Sequence, residues 1–501
     1  MRRQHSIIAF ELIRLDRDAT EPLHLQLYRQ IRDQLRGGRF TENSSRLPSS
    51  RSISESLGVS RFTVKHALAK LCDEGYLRSK TGSGTFVATI LPETFLIPDK
   101  DTSTRRSVAP AANTARRVAE ISDRRAGTDF DVGSIGPPGI FFQPGQPAVD
   151  EFPIAVWERL RAQVLAKKGA HLLRYAPSHG DADLRKGIAA YLSDFRGARC
   201  HPDQIIVTAA TQQAMLISAL ALINPGDIAW MEDPGFHQAR RSFVLAGAKV
   251  VPRPIDAEGL VLSRSPNERS PRMIYVTPSH QFPLGMTMSL ERRRALIHFA
   301  QKRDAYIFED DYYSEFRFAG PPLPSLQGLD SFGRVIYAGT FSKILHPALR
   351  LGYLVAPEQL VDSMIKVRAA IDQHSSPIDQ ATLARFLSEG YFLSHIRRMR
   401  RLYAERRESF IKHFNQFLGD RFRLQIPEAG LHFVAWLRRR EDSALIKRVG
   451  AEIGISPEPL SFFCIQAKLE PAFIFGFAAW SAVQVRERLE SFAAALKQKS
   501  R

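Results

Sequence analysis

Cysteine is scarce in this chain and scattered: Cys72, Cys200 and Cys464 are the three present, odd in number and far apart. That pattern excludes a disulfide framework and a cysteine-based zinc site, and it fits a reducing compartment. Long apolar runs are missing too. The longest, "AMLISALALI" from Ala214, reaches roughly half of the ~20 residues that a membrane helix needs. The opening "MRRQHSIIAFELIRLDRD" returns to charge after a short apolar stretch, too soon for a signal-peptide core. Together these absences predict a cytoplasmic protein without a metal site. Acidic residues are in deficit: 52 Asp and Glu stand against 70 Lys and Arg, a net charge of +18. Such an excess draws polyanions, and double-stranded DNA is the partner to expect first. The excess is shared between the first 128 residues and the rest, so charge alone locates no binding face. At 501 residues the chain is too long for one core, and two or three domains follow.

The first expected domain spans 20–88. In "PLHLQLYRQIRDQLRGG" the apolar Leu23, Leu27, Ile31 and Leu35 recur every fourth residue, one stripe on a helix that the glycines end. A second helix begins in "SISESLG", where Ser52 and Glu55 have the spacing of a capping box and Gly58 gives the stop. In the third, "VSRFTVKHALAKLCDEGYL", Ser60 is the expected cap and Val64, Ala67, Leu68 and Leu71 fall on one buried face. Arg61, Thr63 and Lys65 are left on the other side of its first turns, where a helix-turn-helix protein presents side chains to base edges. "YLRSKTGSGTFVA" then reads as two short strands around a glycine-rich tip with Lys80: a wing, suited to phosphates. The whole stretch, "LPSSRSISESLGVSRFTVKHALAKLCDEGYL" followed by "GSGTFV", resembles the winged helix-turn-helix of the GntR family of bacterial regulators. The resemblance implies DNA contacts at Arg51, Ser60, Arg61, Thr63, Lys65, Lys80 and Gly82.

Residues 89–128 have no sustained period and are rich in Pro, Ser, Thr and paired arginines, which predicts a semi-flexible linker with solvated charge.

From 129 to 501 short apolar strands alternate with amphipathic helices, the pattern of an α/β domain with a largely parallel sheet, whose ligands gather at the carboxyl ends of the strands. Four such ends carry polar residues. After the strand from Ile205, the amides and hydroxyl of Ala210, Thr211 and Gln212 open a helix and suit a phosphate. Phe236 follows a Pro-Gly turn and can stack on a flat ring. "AYIFEDDYY" ends in Glu309, Asp310, Asp311 and Tyr312, acids that need a cation or a donor there. "RVIYAGTFSKILHPALR" brings Thr340, Ser342, Lys343 and Arg350: an imine-forming amine beside a phosphate clamp. Lysine, clamp, stacking ring and carboxylate together describe a pyridoxal 5'-phosphate (PLP) site.

"YAPSHGDADLR", "VTPSHQFPLGMTMS", "EDDYYSEF" and "GTFSKILHPALRLGYLV" closely resemble fold-type I aminotransferases, and their union with a GntR-like winged helix resembles the MocR subgroup. The resemblance implies that Lys343 forms the internal aldimine, that Asp310 or its rival Asp311 pairs with the pyridinium nitrogen, and that Tyr312 bonds the ring oxygen. It further implies that Thr211, Gln212, Ser342 and Arg350 hold the phosphate, that Phe236 stacks, and that Tyr175 reaches the partner subunit's cofactor. Where aminotransferases commonly carry Asn-Pro-x-Gly this chain has Phe282-Pro283-Leu284-Gly285, so His280 or Gln281 is expected to take the asparagine's place. Gln238 stands where an arginine can bind a ligand carboxylate, and Arg438, Arg439 and Arg440 read as a solvated run. The expected protein is a dimeric, PLP-dependent transcription regulator that senses an amine or amino acid through an external aldimine; the alternative is a working aminotransferase with an accessory DNA-binding domain.

Overall fold

A computed structural model of the protein describes residues 10–36, 46–80, 83–88, 115–121, 140–262, 265, 268–320, 323–439 and 442–499. These fall into two compact units, Met1–Asn113 and Thr114–Arg501.

The first unit holds helices α1 (Leu23–Arg36), α2 (Ser50–Leu57) and α3 (Arg61–Asp73), then strands β1 (Leu77–Lys80) and β2 (Gly84–Val87). The stripes expected from spacing form its core. Leu27, Ile31 and Leu35 of α1 meet Val64, Ala67, Leu68 and Leu71 of α3, with Ile53 between. Gly58, at φ 62, ends α2, and Ser60 caps α3 by accepting from the Thr63 amide. The cap of α2 differs from expectation. Ser49, not Ser52, is the N-cap, and its hydroxyl accepts from the Ser52 amide. The helix therefore starts one turn earlier, because Ser49 precedes it in extended backbone. The strands pair antiparallel from Leu77 opposite Val87 to Lys80 opposite Gly84, and Leu47 adds a third rung through its amide to the Thr85 carbonyl. Phe10 and Ile13 are buried in the same core, so the unit draws on residues ahead of 20.

The segment expected to be an irregular linker contains a helix, Arg116–Ile121, which packs against the helix His237–Leu245 of the second unit. The other linker residues, 89–114 and 122–128, lie outside the described residues, as does Gly82.

The second unit is built on a sheet of β3 (Ile205–Thr208), β4 (Ile228–Asp233), β5 (Lys249–Asp256), β6 (Gly259–Leu260), β7 (Met273–Val276), β8 (Tyr306–Asp311), β9 (Val335–Thr340) and β10 (Gly352–Val355). Their order is β3-β10-β9-β8-β7-β4-β5-β6. The run from β9 to β5 is parallel, while β10 is antiparallel to both of its neighbours. The inner strands are largely apolar because helices cover both faces: Ile205, Val207 and Tyr337 pack on one side, and Ile206, Ala338 and Phe308 on the other. A smaller antiparallel sheet of β11 (Phe422–Gln425), β12 (His432–Leu437), β13 (Glu458–Pro459) and β14 (Ala472–Gly476) forms a second lobe, ordered β11-β12-β14-β13. Among the described residues no helix is long and apolar enough to cross a membrane.

Candidate functional site

A cavity of about 330 Å³ opens where β3, β4, β8 and β9 end. Its wall includes Ala210, Thr211, Gln212, Phe236, Asp310, Tyr312, Ser342, Lys343 and Arg350. Of the eleven residues expected to anchor or hold a flat phosphorylated ring, these nine thus meet in one place, and His280 and Tyr175 do not line it.

Strand alternation decides between the neighbouring acids. Side chains on β8 point to opposite faces in turn. Glu309 turns inward, where its carboxylate accepts from the amides of Leu326 at 2.9 Å and Gln327 at 3.0 Å. Asp311 faces the same side and is held by the buried Arg196 at 2.7 Å and by the Tyr337 hydroxyl at 2.5 Å. Asp310 alone turns to the cavity. Its Oδ2 accepts from Tyr275 at 2.9 Å, whereas its buried Oδ1 has no partner. Burial pushes this carboxyl up to about 7, with the Asp311 charge adding and Tyr275 and Lys343 opposing.

Lys343 donates to the Gly145 carbonyl at 2.7 Å. Burial lowers its ammonium to about 8, a shift that Asp310 resists and Arg350 reinforces. Gly145 has φ +83, and a Cβ there would lie 2.8 Å from the lysine nitrogen; the position serves by having no side chain. At the other end Ala210 precedes the helix Thr211–Leu222 with φ 76 and ψ 175 and makes no side-chain cap. That backbone region is costly for any residue with a Cβ, of order 1–3 kcal/mol. It leaves the first-turn amides uncapped by a side chain, the donors that attract an anion at a helix start. The Ser342 hydroxyl is buried without a partner, and Arg350, itself at φ 48, reaches the Ala209 carbonyl at 3.2 Å.

Three expected residues lie off the cavity wall, and for Tyr175, expected at a partner subunit's cofactor, that position is no departure. His280 does not line the cavity: its ring sits 5.0 Å from that of His432, and what it offers the site is its carbonyl, which accepts from the Tyr312 hydroxyl at 2.9 Å. Gln281 is engaged by Glu232 and the backbone of Pro234 and Phe282. Tyr175 lies outside the cavity wall, 88% exposed, with its ring 6.1 Å from that of His374. Several wall residues escaped the sequence reading: Gln143 to Gln146, Tyr275, Tyr313, His237, Glu458, Phe462 and Phe463. Tyr275 reads as a core aromatic in the middle of β7, and only its register beside Phe308 brings its hydroxyl to Asp310.

On the first unit, Arg61 and Lys65 stand exposed on α3, Lys80 stands exposed at the end of β1, and Arg51 is exposed in an ion pair with Glu55 at 3.0 Å. Ser60 and Thr63 bond each other at 2.9 Å, so both set the helix start before they can meet a ligand. Phe62, which the sequence reading passed over, is 77% exposed between Arg61 and Thr63, its ring stacked 5.9 Å from that of His66. An apolar ring there suits a thymine methyl. Its signal was an aromatic lying off the buried stripe.

Comparison with known proteins agrees with both halves. The family description "Aminotransferase class I and II" matches residues 142–490, and "Bacterial regulatory proteins, gntR family" matches residues 23–87. The chain is 40% identical, over 96% of its length and 95% of the relative's, to the "Probable rhizopine catabolism regulatory protein MocR" of Rhizobium meliloti. It is 32% identical over 91% of both chains to the pyridoxine biosynthesis transcriptional regulator PdxR of Corynebacterium glutamicum. Among solved structures it is similar to LysN, an α-aminoadipate aminotransferase of Thermus thermophilus complexed with N-(5'-phosphopyridoxyl)-L-leucine. The TM-score is 0.65 at 25% identity, over 77% of this chain and 95% of that one.

Proposed function

The chain belongs to the MocR-type regulators of the gntR family, DNA-binding transcription regulators that carry an aminotransferase class I and II domain, and from that premise we propose that it holds PLP at Lys343 and answers to a primary amine. The observation that carries this reading is a pair of buried, unpartnered oxygens, Asp310 Oδ1 and Ser342 Oγ, in the wall that also holds Lys343. Buried polar atoms are rarely left unpaired unless a ligand completes them. The two match the two polar ends of PLP, a ring nitrogen and a phosphate.

In this assignment Lys343 is the covalent anchor, Asp310 meets the ring nitrogen, Phe236 stacks, and Tyr312 lies toward the ring oxygen. Ala210, Thr211, Gln212, Ser342 and Arg350 receive the phosphate through amides, hydroxyls and a guanidinium. When bound, PLP supplies an aldehyde carbon that exchanges one amine for another. The protein's own part is to prepare that exchange. Burial leaves a large share of Lys343 as the neutral, nucleophilic amine near pH 8, and the Gly145 carbonyl orients it. Tyr312, pushed well above the usual phenol range by burial, keeps its proton, which it donates to the His280 carbonyl.

Tyr175 stands ready to reach the cofactor of a second subunit, the winged-helix domain read at 20–88 takes in Phe10 and Ile13 as well, the large domain keeps 129–501 with the helix Arg116–Ile121 packed on it, and the protein works as a cytoplasmic homodimer. Dimerisation through the large unit presents two winged helices to two half-sites. Arg51, Ser60, Arg61, Thr63 and Lys65 meet the groove and Lys80 the phosphates. If two arrangements of the large unit hold the amine unequally, its binding shifts their balance and with it DNA affinity.

The test is the visible absorption of the purified protein beside Lys343→Ala, with PLP and with a panel of amines, joined to DNA affinity with and without the amine. A band present in the wild type, absent in the variant and shifted by an amine that also changes DNA affinity supports the reading. No band after PLP addition sinks it, and turnover of an amino acid with a 2-oxo acid at about 1 per second or faster makes the chain an enzyme instead.

A further inference from the structure

The cavity wall is uneven in charge, and the unevenness bears on which amine it takes. Among the described residues that line it, the cationic side chains are Lys343 and Arg350, both assigned above to the cofactor. His237 also lines it, but burial holds its imidazole down at about 4, so it stays neutral. Position 238 supplies a glutamine, already bonded to Gln212 at 3.3 Å. A ligand carboxylate entering here finds no further guanidinium or ammonium among the described wall residues to meet it, and burying an unpaired carboxylate is costly.

The small lobe contributes the opposite charge. Glu458, at the start of β13, lines the cavity with Phe462 and Phe463. Its carboxylate is half-buried, and the cation acting on it, Lys447, stands outside the wall. Burial raises this acid above its ordinary range, as expected of a charge short of compensation. The surrounding wall is fixed in place. Asp233, at the end of β4, accepts from the amides of Ile465, Gln466 and Ala467, each at 2.7 Å, and the Gly235 amide bonds the Phe463 carbonyl at 2.9 Å. Four aromatic rings complete it: Phe282 packs edge-on against Phe236 at 5.6 Å and Phe463 at 4.9 Å, and Phe462 adjoins Phe463 at 4.9 Å. A carboxylate beside aromatic faces suits a donor-bearing or cationic group.

We infer that the effector is a primary amine without a carboxylate, carrying at its far end a hydroxyl or second ammonium that donates to Glu458. The inference rests on the amine-sensing reading above and narrows it: α-amino acids and ω-amino acids are the poorer ligands.

The experiment titrates the PLP-loaded full-length protein, wild type and Glu458→Gln, with ethanolamine, putrescine, alanine and γ-aminobutyrate, following the visible band and DNA affinity. Ethanolamine or putrescine should act at concentrations at least tenfold below the two amino acids, with the stronger of the two telling hydroxyl from ammonium. Glu458→Gln should raise the half-saturating concentration of that amine roughly tenfold without raising that of the amino acids, whose carboxylate loses a like charge. Stronger action by alanine or γ-aminobutyrate on the wild type overturns the inference and leaves amine sensing intact, as does equal response of the wild type and Glu458→Gln. A band that none of the four amines moves overturns amine sensing, and this inference falls with it.

Discussion

The two units handle charge in opposite ways. In the winged helix the described core is apolar but for Gln26, and the basic side chains of Arg51, Arg61, Lys65 and Lys80 stand in water. In the large unit Arg196, Arg293, Arg368, Glu232, Glu309, Asp310 and Asp311 are buried. The difference suits the partner proposed for each unit. A polyanion is met across a wide, hydrated surface, where charges act at long range and salt screens them. A small molecule is met in a closed cavity, where a few desolvated groups gain strength and their protonation shifts.

The largest expected effect that tests this contrast comes from the exposed side. Arg61→Ala should weaken DNA binding by about 1–3 kcal/mol, roughly five- to 150-fold, when measured by fluorescence anisotropy at fixed salt. PLP retention and the amine-induced spectral change should be untouched. A variant that also lost its PLP band would break the separation between the two units.

Asp310→Asn sharpens the buried side. The folded-state value near 7 lies above the ordinary 3.8, so the fold prefers the neutral acid. Stability from this group is fully present below pH ~4 and is lost as pH rises through about 7. The asparagine variant has no such loss. In PLP-free protein its melting temperature should therefore gain on the wild type from pH 4 to 7 and hold a constant difference above. A difference that does not vary with pH would mean that Asp310 ionises as freely as a surface acid.

Ser60→Ala is the smallest change. Loss of the cap should cost the winged-helix unit about 1 kcal/mol, seen as an earlier unfolding transition that leaves the large unit's transition in place. It also frees Thr63, so DNA affinity should fall slightly with it.

The winged helix was legible almost to the residue because its signals are local: a four-residue stripe, a capping serine, a glycine stop. The cap of α2 was misplaced because Ser49 and Ser52 both have suitable hydroxyls, and only backbone geometry tells them apart. In the large unit, the ends of the strands announced Lys343, Ser342, Arg350 and Phe236. What stayed hidden depends on contacts far apart in the chain. The order of Asp310 and Asp311 required knowing which face of β8 meets Arg196. Gly145 lies 198 residues from Lys343, and no spacing rule joins them. His280 was proposed to replace a missing asparagine, yet its ring turns to His432, since the loop carries its carbonyl rather than its imidazole toward Tyr312.

The Gly145 carbonyl matters most when the lysine is off duty. A receptor must release as well as hold, and a detached amine in a closed cavity would carry the ~1–3 kcal/mol penalty of an unmet donor. An acceptor 2.7 Å away removes much of that penalty. It gives Lys343 a resting place from which it can return. The neighbouring Phe141 and Phe142 are tied by backbone bonds to Gly454, Ser456 and Gly476, so the segment leading to that resting place is fastened to the small lobe. If the proposed amine sensing holds, reversibility is thereby built into the loop: a signal begun by an arriving amine would end when the amine leaves.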